Sequence, residues 1–125
     1  MQTDVDNIQR LLDRFKRPIP TKEIYQTRLA EEFELILNQR FTDYFLQICD
    51  IIDLTDDLTH MTRGSAGSSL ICYLLGITDV DPIKWNIPVA RFMNPLRDDL
   101  PDVDIDFEHW RQGDVMQRIF KKLSL

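Results

Sequence analysis

Three aspartates alternate with apolar residues in segment 101–107 (PDVDIDF), and their carboxylates are the most informative candidates for chemistry in the chain. Alternation with a period of two is typical of a β-strand, whose successive side chains point to opposite faces. Asp102, Asp104 and Asp106 would therefore line one edge, with neighbours roughly 6–7 Å apart. Carboxylate oxygens in such an arrangement suit a pair of Mg²⁺ ions in a phosphoryl-transfer site. The alternative is a solvated edge strand whose charges prevent aggregation.

A glycine- and serine-rich segment, residues 63–69 (RGSAGSS), forms a second candidate site because it leads into an apolar run. A turn that opens a helix presents backbone N–H groups and the positive end of the helix dipole. Ser65, Ser68 and Ser69 add hydroxyl donors and Arg63 adds charge, so the segment could hold a phosphate. Its spacing matches neither a Walker loop nor GxGxxG, and a simple helix cap would explain the same residues.

Two arginines, Arg91 and Arg97, flank an Asn-Pro pair just before the acidic segment. Arginine binds phosphate oxygens bidentately and can stabilise the charge of a phosphoryl-transfer transition state. The alternative is a pair of exposed ion pairs with the neighbouring Asp98 and Asp99, which would contribute little to stability.

Helices dominate the elements that must position these residues. Apolar spacing predicts a short first helix ended by Pro18 and Pro20, and a second helix over residues 22–39 capped by Thr21. The acidic residues of the second helix are expected on its solvated face: Glu31, Glu32 and Glu34.

The chain beyond the second helix is predicted in less detail. Residues 41–54 are densely apolar and form either a buried helix or a helix that runs into a strand. Residues 55–62 read as a connecting loop, and Gly76 ends the helix that follows the glycine-rich segment. Trp85 is expected in the core. A final amphipathic helix carries Val115, Ile119, Phe120 and Leu123.

The composition limits the class of protein. The chain has 125 residues, 43% of them hydrophobic and 29% charged, which fits one small globular domain. A net charge of −6 argues against a chain that grips nucleic acid by itself, but not against one that handles a nucleotide through a metal ion. Cys49 and Cys72 indicate buried residues of a reduced, cytoplasmic protein, and no apolar run is long enough to span a membrane.

Four motifs occur in an order and with gaps that are similar to those of one family. They are residues 63–70 (RGSAGSSL), 73–82 (YLLGITDVDP), 91–95 (RFMNP) and 101–107 (PDVDIDF). Together they resemble the palm of the bacterial C-family replicative polymerases, which are the alpha subunit of DNA polymerase III and its relatives. Segment 41–46 (FTDYFL) resembles the region that precedes the Gly-Ser motif in that family. The resemblance covers roughly residues 25–120.

The resemblance implies a fold of the α+β class. It is a polymerase-beta-like nucleotidyltransferase palm, with a mixed sheet packed against helices, and it would be incomplete here. Residues 21–125 would form this palm-like core, after an N-terminal helix and linker in residues 1–20.

The resemblance also implies roles for residues of this chain. Arg63, Gly64 and Ser65 would lie against the phosphates of the incoming nucleotide. Arg91 and Arg97 would contact its triphosphate.

The same resemblance assigns the catalytic metal ions. Asp102 and Asp104 would bind the catalytic Mg²⁺ ions, a choice that strand alternation alone does not make over Asp104 and Asp106. Whether Asp106 also contacts metal is left open.

The implied function is DNA-directed DNA polymerisation, in which a deoxynucleotidyl unit is transferred to a primer 3′-hydroxyl. The family carries a third metal-binding aspartate, fingers and DNA-contacting domains downstream, so this chain alone is expected to be inactive. Primer–template DNA would bind through those domains or a partner chain. One alternative is a non-catalytic nucleotide-binding or protein-interaction remnant. Another is a helical structural domain whose resemblance is accidental.

Overall fold

The described part of the chain is mainly helical. A computed structural model describes residues 2–54, 60–94, 101 and 104–107. Its elements within these ranges are the helices α1 (Gln2–Leu12), α2 (Glu23–Gln39), α3 (Thr42–Leu54) and α4 (Leu70–Leu74), and the strands β1 (His60–Arg63) and β2 (Asp104–Phe107). Two short 3₁₀ helices complete them: Gly64–Ser68, called here the Gly-Ser turn, and Val89–Arg91, called here the Arg91 turn.

Helix α2 follows the predicted bounds closely because its apolar residues repeat at helical spacing. Leu29, Phe33 and Ile36 are buried along one stripe. The predicted cap by Thr21 is wrong: the N-cap residue is Lys22, and its side chain makes no capping hydrogen bond. The helix ends at Arg40, whose left-handed backbone (φ 60°) lets its N–H reach carbonyls of the last turn.

Helix α3 settles the ambiguity of segment 41–54 in favour of a single helix. It buries Phe45, Ile48 and Ile52 on one side. Its other side carries acidic residues that pair with α1 and the segment after it: Arg10 with Asp43, Arg14 with Asp50 and Asp53, and Lys16 with Asp53. These ion pairs fix α1 against α3.

Gly76 ends α4, as the sequence predicts. Its φ of +80° is a left-handed conformation that favours glycine, and a Cβ placed there would lie 2.9 Å from Cδ of Lys16. Arg17 closes the same corner, since its guanidinium donates to the carbonyls of Tyr73 and Thr78 and lies 4.2 Å from the Tyr73 ring centroid.

One core joins the helices. Buried apolar side chains from the four α-helices, the two 3₁₀ helices and the residues after Arg91 contribute to it: Leu11, Leu29, Ile36, Phe45, Ile48, Ala66, Leu70, Ile71, Leu74, Val89, Phe92 and Met93. Cys49 and Cys72 are buried free thiols, as predicted. Burial raises the pKa of Cys49 to about 11 and also raises that of Cys72.

The predicted α+β palm with a mixed sheet is wrong. Among the described residues the only sheet is the two-stranded antiparallel ribbon of β1 and β2. A mixed sheet also requires parallel neighbours, which are joined by long crossovers. Here the apolar faces pack helix on helix instead, so no sheet face forms the core. The division at residue 20 stays a prediction, and the expected helix around Val115 lies outside the described residues.

Candidate functional site

The β1–β2 ribbon brings the glycine-rich segment and the acidic segment together. In its register Arg63 is paired with Asp104, and Met61 with Asp106. Directly opposed residues share a face of an antiparallel pair, with Cα atoms about 5 Å apart. Asp104 and Asp106 therefore occupy the same face as Arg63. Because Gly64 follows Arg63 directly, the acidic strand begins, at Asp104, next to the start of the Gly-Ser turn.

Several predicted site residues lie partly or wholly outside the part of the chain that the structure describes. Asp102 and Arg97 lie outside the described residues. For Arg63, Ser65 and Asp104, the structure describes the backbone only. At these three positions the structure therefore gives the strand register and the course of the backbone. The predicted roles of their side chains stay predictions.

Helix α3 anchors the chain just before the acidic strand. The Tyr44 hydroxyl donates a 2.6 Å hydrogen bond to the carbonyl oxygen of Pro101, and Pro101 itself is buried. The Tyr44 ring packs edge-on against Phe45, with 5.8 Å between ring centroids. Since Pro101 directly precedes the acidic residues in the sequence, this bond ties the start of the acidic segment to α3.

The Arg91 turn lies in contact with the Gly-Ser turn. Phe92 and Met93 are buried behind it, and the Phe92 ring packs edge-on against Phe45 at 6.0 Å. Arg91 itself is exposed. Phe92 and Met93 thus anchor the Arg91 turn in the core, while Arg91 lies at the surface. The turn that carries it is in contact with the Gly-Ser turn.

The segment that follows Arg91 is held at Asn94 by amide hydrogen bonds. The side-chain amide of Gln39 donates to the carbonyl of Asn94 at 2.6 Å, and the side-chain amide of Asn94 donates to the carbonyl of Ala90 at 3.4 Å. These bonds tie the end of α2 to the segment that carries Arg91. The ion pairs predicted as an alternative for the two arginines involve residues 98–99, which lie outside the described residues.

The N-terminus of α4 is occupied by a carboxylate of the chain itself. Glu32 is fully buried, and its oxygens accept hydrogen bonds from the Ser69 hydroxyl (2.6 Å) and from the N–H groups of Leu70 (2.7 Å) and Ile71 (3.1 Å). Ser69 is the N-cap and also accepts from the N–H of Cys72. An external phosphate would find these groups already bound, so the prediction that Ser69 and the start of this helix bind phosphate is wrong.

Arg28 completes this buried cluster. Its Nε donates to Glu32 at 2.8 Å, and its Nη2 donates to the carbonyls of Ser68 at 2.5 Å and Ile87 at 2.9 Å. Its side chain is only 11% exposed. Burial raises the pKa of Glu32, while the hydrogen bonds from Ser69 and the two amides and the charge of Arg28 oppose that rise.

The predicted solvated position of Glu32 is therefore wrong, although the sequence carried the relevant signal. Glu32 falls three residues after Leu29 and four before Ile36, which places it on the buried stripe of α2. Arg28 lies one turn earlier, at the spacing of an intrahelical ion pair. Glu31 and Glu34 are exposed, as predicted.

Comparison with known proteins identifies the family. The model of the bacterial DNA polymerase III alpha NTPase domain matches residues 5–124. The chain belongs to this family. The match confirms the resemblance to the alpha subunit of DNA polymerase III and excludes an accidental one, while the assignment to the palm stays a prediction.

Individual relatives agree with the family match. A DNA polymerase III subunit alpha from Staphylococcus aureus is 42% identical over 115 residues, which cover 90% of this chain and 11% of that protein. An error-prone DNA polymerase from Bdellovibrio bacteriovorus is 39% identical over 113 residues, 89% of this chain and 10% of that protein. The chain thus spans about a tenth of the length of the relatives it matches.

Two further observations concern metal and membrane. Among the side chains that the structure describes, no group of three or more His, Cys, Asp or Glu could hold a metal ion. The side chains of the predicted ligands, Asp102 and Asp104, are not among them. None of the described helices combines the length and the apolar character that a membrane span requires.

Proposed function

We propose that this chain provides nucleotide- and metal-binding residues for a DNA-directed DNA polymerase, which transfers a deoxynucleotidyl unit to a primer 3′-hydroxyl. The observation that carries the proposal is the ribbon register, in which Asp104 is paired with Arg63, directly before Gly64. Carboxylates for a cation and backbone donors for a phosphate are needed side by side in phosphoryl transfer. Membership of the DNA polymerase III alpha family supports the same reaction.

The triphosphate would be bound from two sides. Gly64 and Ser65 would offer backbone N–H groups, which bind anions when they converge in a turn. Arg63, Arg91 and Arg97 would add charge and bidentate hydrogen bonds to the phosphate oxygens. Because Glu32 occupies the amides at the start of α4, this role falls to the residues upstream.

Asp102 and Asp104 would hold Mg²⁺ on the acidic segment. Their carboxylate oxygens are the hard ligands that this ion prefers, and the two residues occupy alternate positions of the sequence, as a shared strand face requires. Bound Mg²⁺ would supply charge neutralisation and a lower pKa for an attacking hydroxyl. The two aspartates would hold the positive charge of Mg²⁺ beside the backbone that binds the phosphates.

The polymerase as a whole extends beyond this chain. Primer–template DNA would be held by other domains of the polymerase or by a partner chain, since the net charge of −6 here disfavours direct binding of a phosphate backbone. We therefore expect negligible primer extension by the isolated chain.

Thermal melting with Mg²⁺ and a deoxynucleoside triphosphate tests the proposal. At ten times the dissociation constant, binding stabilises the folded state by about 1.4 kcal/mol, which raises the melting temperature by about 5 °C. The rise should require both ligands and disappear in Asp102→Ala and Asp104→Ala. Asp4→Ala, which removes an exposed carboxylate of α1, serves as the control and should keep the shift.

Two other outcomes of the melting experiment would contradict the proposal in different ways. A shift that persists in Asp104→Ala would indicate nucleotide binding without the catalytic metal site, which is the non-catalytic alternative. No shift with either ligand would refute a nucleotide-binding site in this chain.

A further inference from the structure

The pair of Arg28 and Glu32 connects three elements: α4, the Gly-Ser turn and the segment that leads into the Arg91 turn. Glu32 binds the first amides of α4, and Arg28 binds the carbonyl of Ser68 at the end of the Gly-Ser turn. The same guanidinium nitrogen also binds the carbonyl of Ile87, directly before Pro88, the N-cap of the Arg91 turn. One side chain of α2 therefore holds both turns.

We propose that Arg28 and Glu32 are positioning residues that fix the Gly-Ser turn relative to the Arg91 turn, and so set the affinity for the triphosphate. This inference rests on the proposed function, because it names what aligns the phosphate-binding groups. Neither side chain needs to touch the nucleotide: both act through backbone that does.

Glu32 decides which amides remain for a phosphate. Two N–H groups of α4 already donate to its oxygens, and the Ser69 hydroxyl donates to the same carboxylate. A second anion at that point would be repelled by Glu32 and would lack donors. The phosphate is thereby directed to the backbone of the Gly-Ser turn, upstream of the helix.

Arg28 supplies a geometry that a lysine cannot reproduce. Its planar guanidinium contacts a carboxylate through Nε and two carbonyls through Nη2, all in fixed directions. A lysine in its place would keep the positive charge beside Glu32 but would present a single ammonium group on a flexible stem. Arg28→Lys therefore removes the directional hydrogen bonds but keeps the positive charge.

The experiment compares Arg28→Lys with a matched arginine elsewhere. Arg14 also joins elements through two carboxylates, Asp50 and Asp53, but it lies between α1 and α3. Each variant is first melted to find a temperature at which it is fully folded. At that temperature the dissociation constant for Mg²⁺ with dATP is measured by calorimetry. Arg28→Lys should weaken binding about tenfold or more, and Arg14→Lys should leave it unchanged within about twofold.

Amide NMR spectra provide a readout that needs no ligand. In Arg28→Lys, the amide signals of Gly64 and Ser65 should shift together with those of residues 89–91, because both turns lose their common anchor. Ser69→Ala removes one partner of Glu32 without breaking the ion pair, and it serves as a second, milder variant if Arg28→Lys does not fold. It should shift the Gly-Ser turn but leave residues 89–91 unchanged.

Specific results would overturn the inference. Equal nucleotide affinity in folded Arg28→Lys and wild type would do so, as would NMR changes confined to residues that contact Arg28 directly. If the wild-type chain binds no nucleotide, the proposed function fails. The NMR comparison then still decides whether the pair aligns the two turns.

Discussion

Replacing Glu32 with alanine should destabilise the protein strongly, since four donors share its carboxylate. The Nε of Arg28, the hydroxyl of Ser69 and the N–H groups of Leu70 and Ile71 all lie within 3.1 Å of it. Glu32, Ser69, Leu70 and Ile71 are all 0% exposed, so three of these donors have no access to water. The substitution would leave a buried guanidinium without its counter-charge and a helix start without its acceptor.

The expected cost follows from the burial of the pair. Removing one partner of a buried ion pair typically costs about 3–5 kcal/mol, and a buried donor left unpaired costs about 1–3 kcal/mol. These values do not add, because Arg28 keeps the carbonyls of Ser68 and Ile87 and its side chain retains 11% exposure. We expect a loss of about 4 kcal/mol, against a total stability of about 5–15 kcal/mol for a domain.

Urea denaturation at neutral pH measures this loss. With a slope of about 1.5–2 kcal/mol per molar urea, the midpoint should fall by about 2 M in Glu32→Ala. Glu31→Ala is the matched control, because Glu31 is the preceding glutamate of the same helix and is exposed. It should change the stability by no more than about 0.5 kcal/mol. A loss below about 1 kcal/mol in Glu32→Ala, or equal losses in both variants, would refute the reasoning.

Two further predictions concern titratable groups. Partial burial opposes ionisation of Asp53, but hydrogen bonds from Lys16 and Arg14 lower its pKa. Its carboxylate should thus stabilise the fold above the ordinary aspartate pKa of about 4 and lose that effect as the pH falls through the lower folded value. The difference in urea midpoint between wild type and Asp53→Asn should shrink over that range, and a constant difference would contradict this. Burial raises the pKa of Cys49 to about 11 and also raises that of Cys72, so Ellman's reagent should label both thiols slowly in the folded chain and rapidly in denaturant. Rapid labelling of the folded chain would show that they are accessible.

Helix α2 was predictable because its apolar residues repeat at the helical period. The expected helix over residues 22–39 is α2 within one residue, and Gly76 ends α4 as its position indicates. The acidic segment was also predicted as a strand, and Asp104–Phe107 is one. In each case the deciding signal lies within a few neighbouring residues.

What could not be predicted depends on distant contacts. Strand β1 was expected as the end of a loop, because HMTR has no alternating pattern and pairs only through a partner far along the chain. Trp85 was expected in the core but is 66% exposed, since a large apolar side chain indicates burial only on average. The mixed sheet was wrong because it came from the family resemblance, whereas the alternating pattern of this sequence indicates one strand, in the acidic segment.

Some residues of the candidate site were predicted from the sequence, and others were found only in the structure. The motifs marked Gly64, Ser65, Arg91 and Asp104, whose roles stay predictions. The motifs gave no sign that Arg28 bridges two carbonyls that are nineteen positions apart in the sequence.

The register of the ribbon has a consequence for the order in which the site assembles. Its two strands are separated by roughly forty residues, so pairing them closes a long loop and has an entropic cost. A two-stranded ribbon alone is only marginally stable in water. A ligand held by groups on both strands would favour their pairing, and pairing would in turn favour the ligand by the same free energy. Occupancy of such a site and completion of the fold around it would then be one coupled equilibrium.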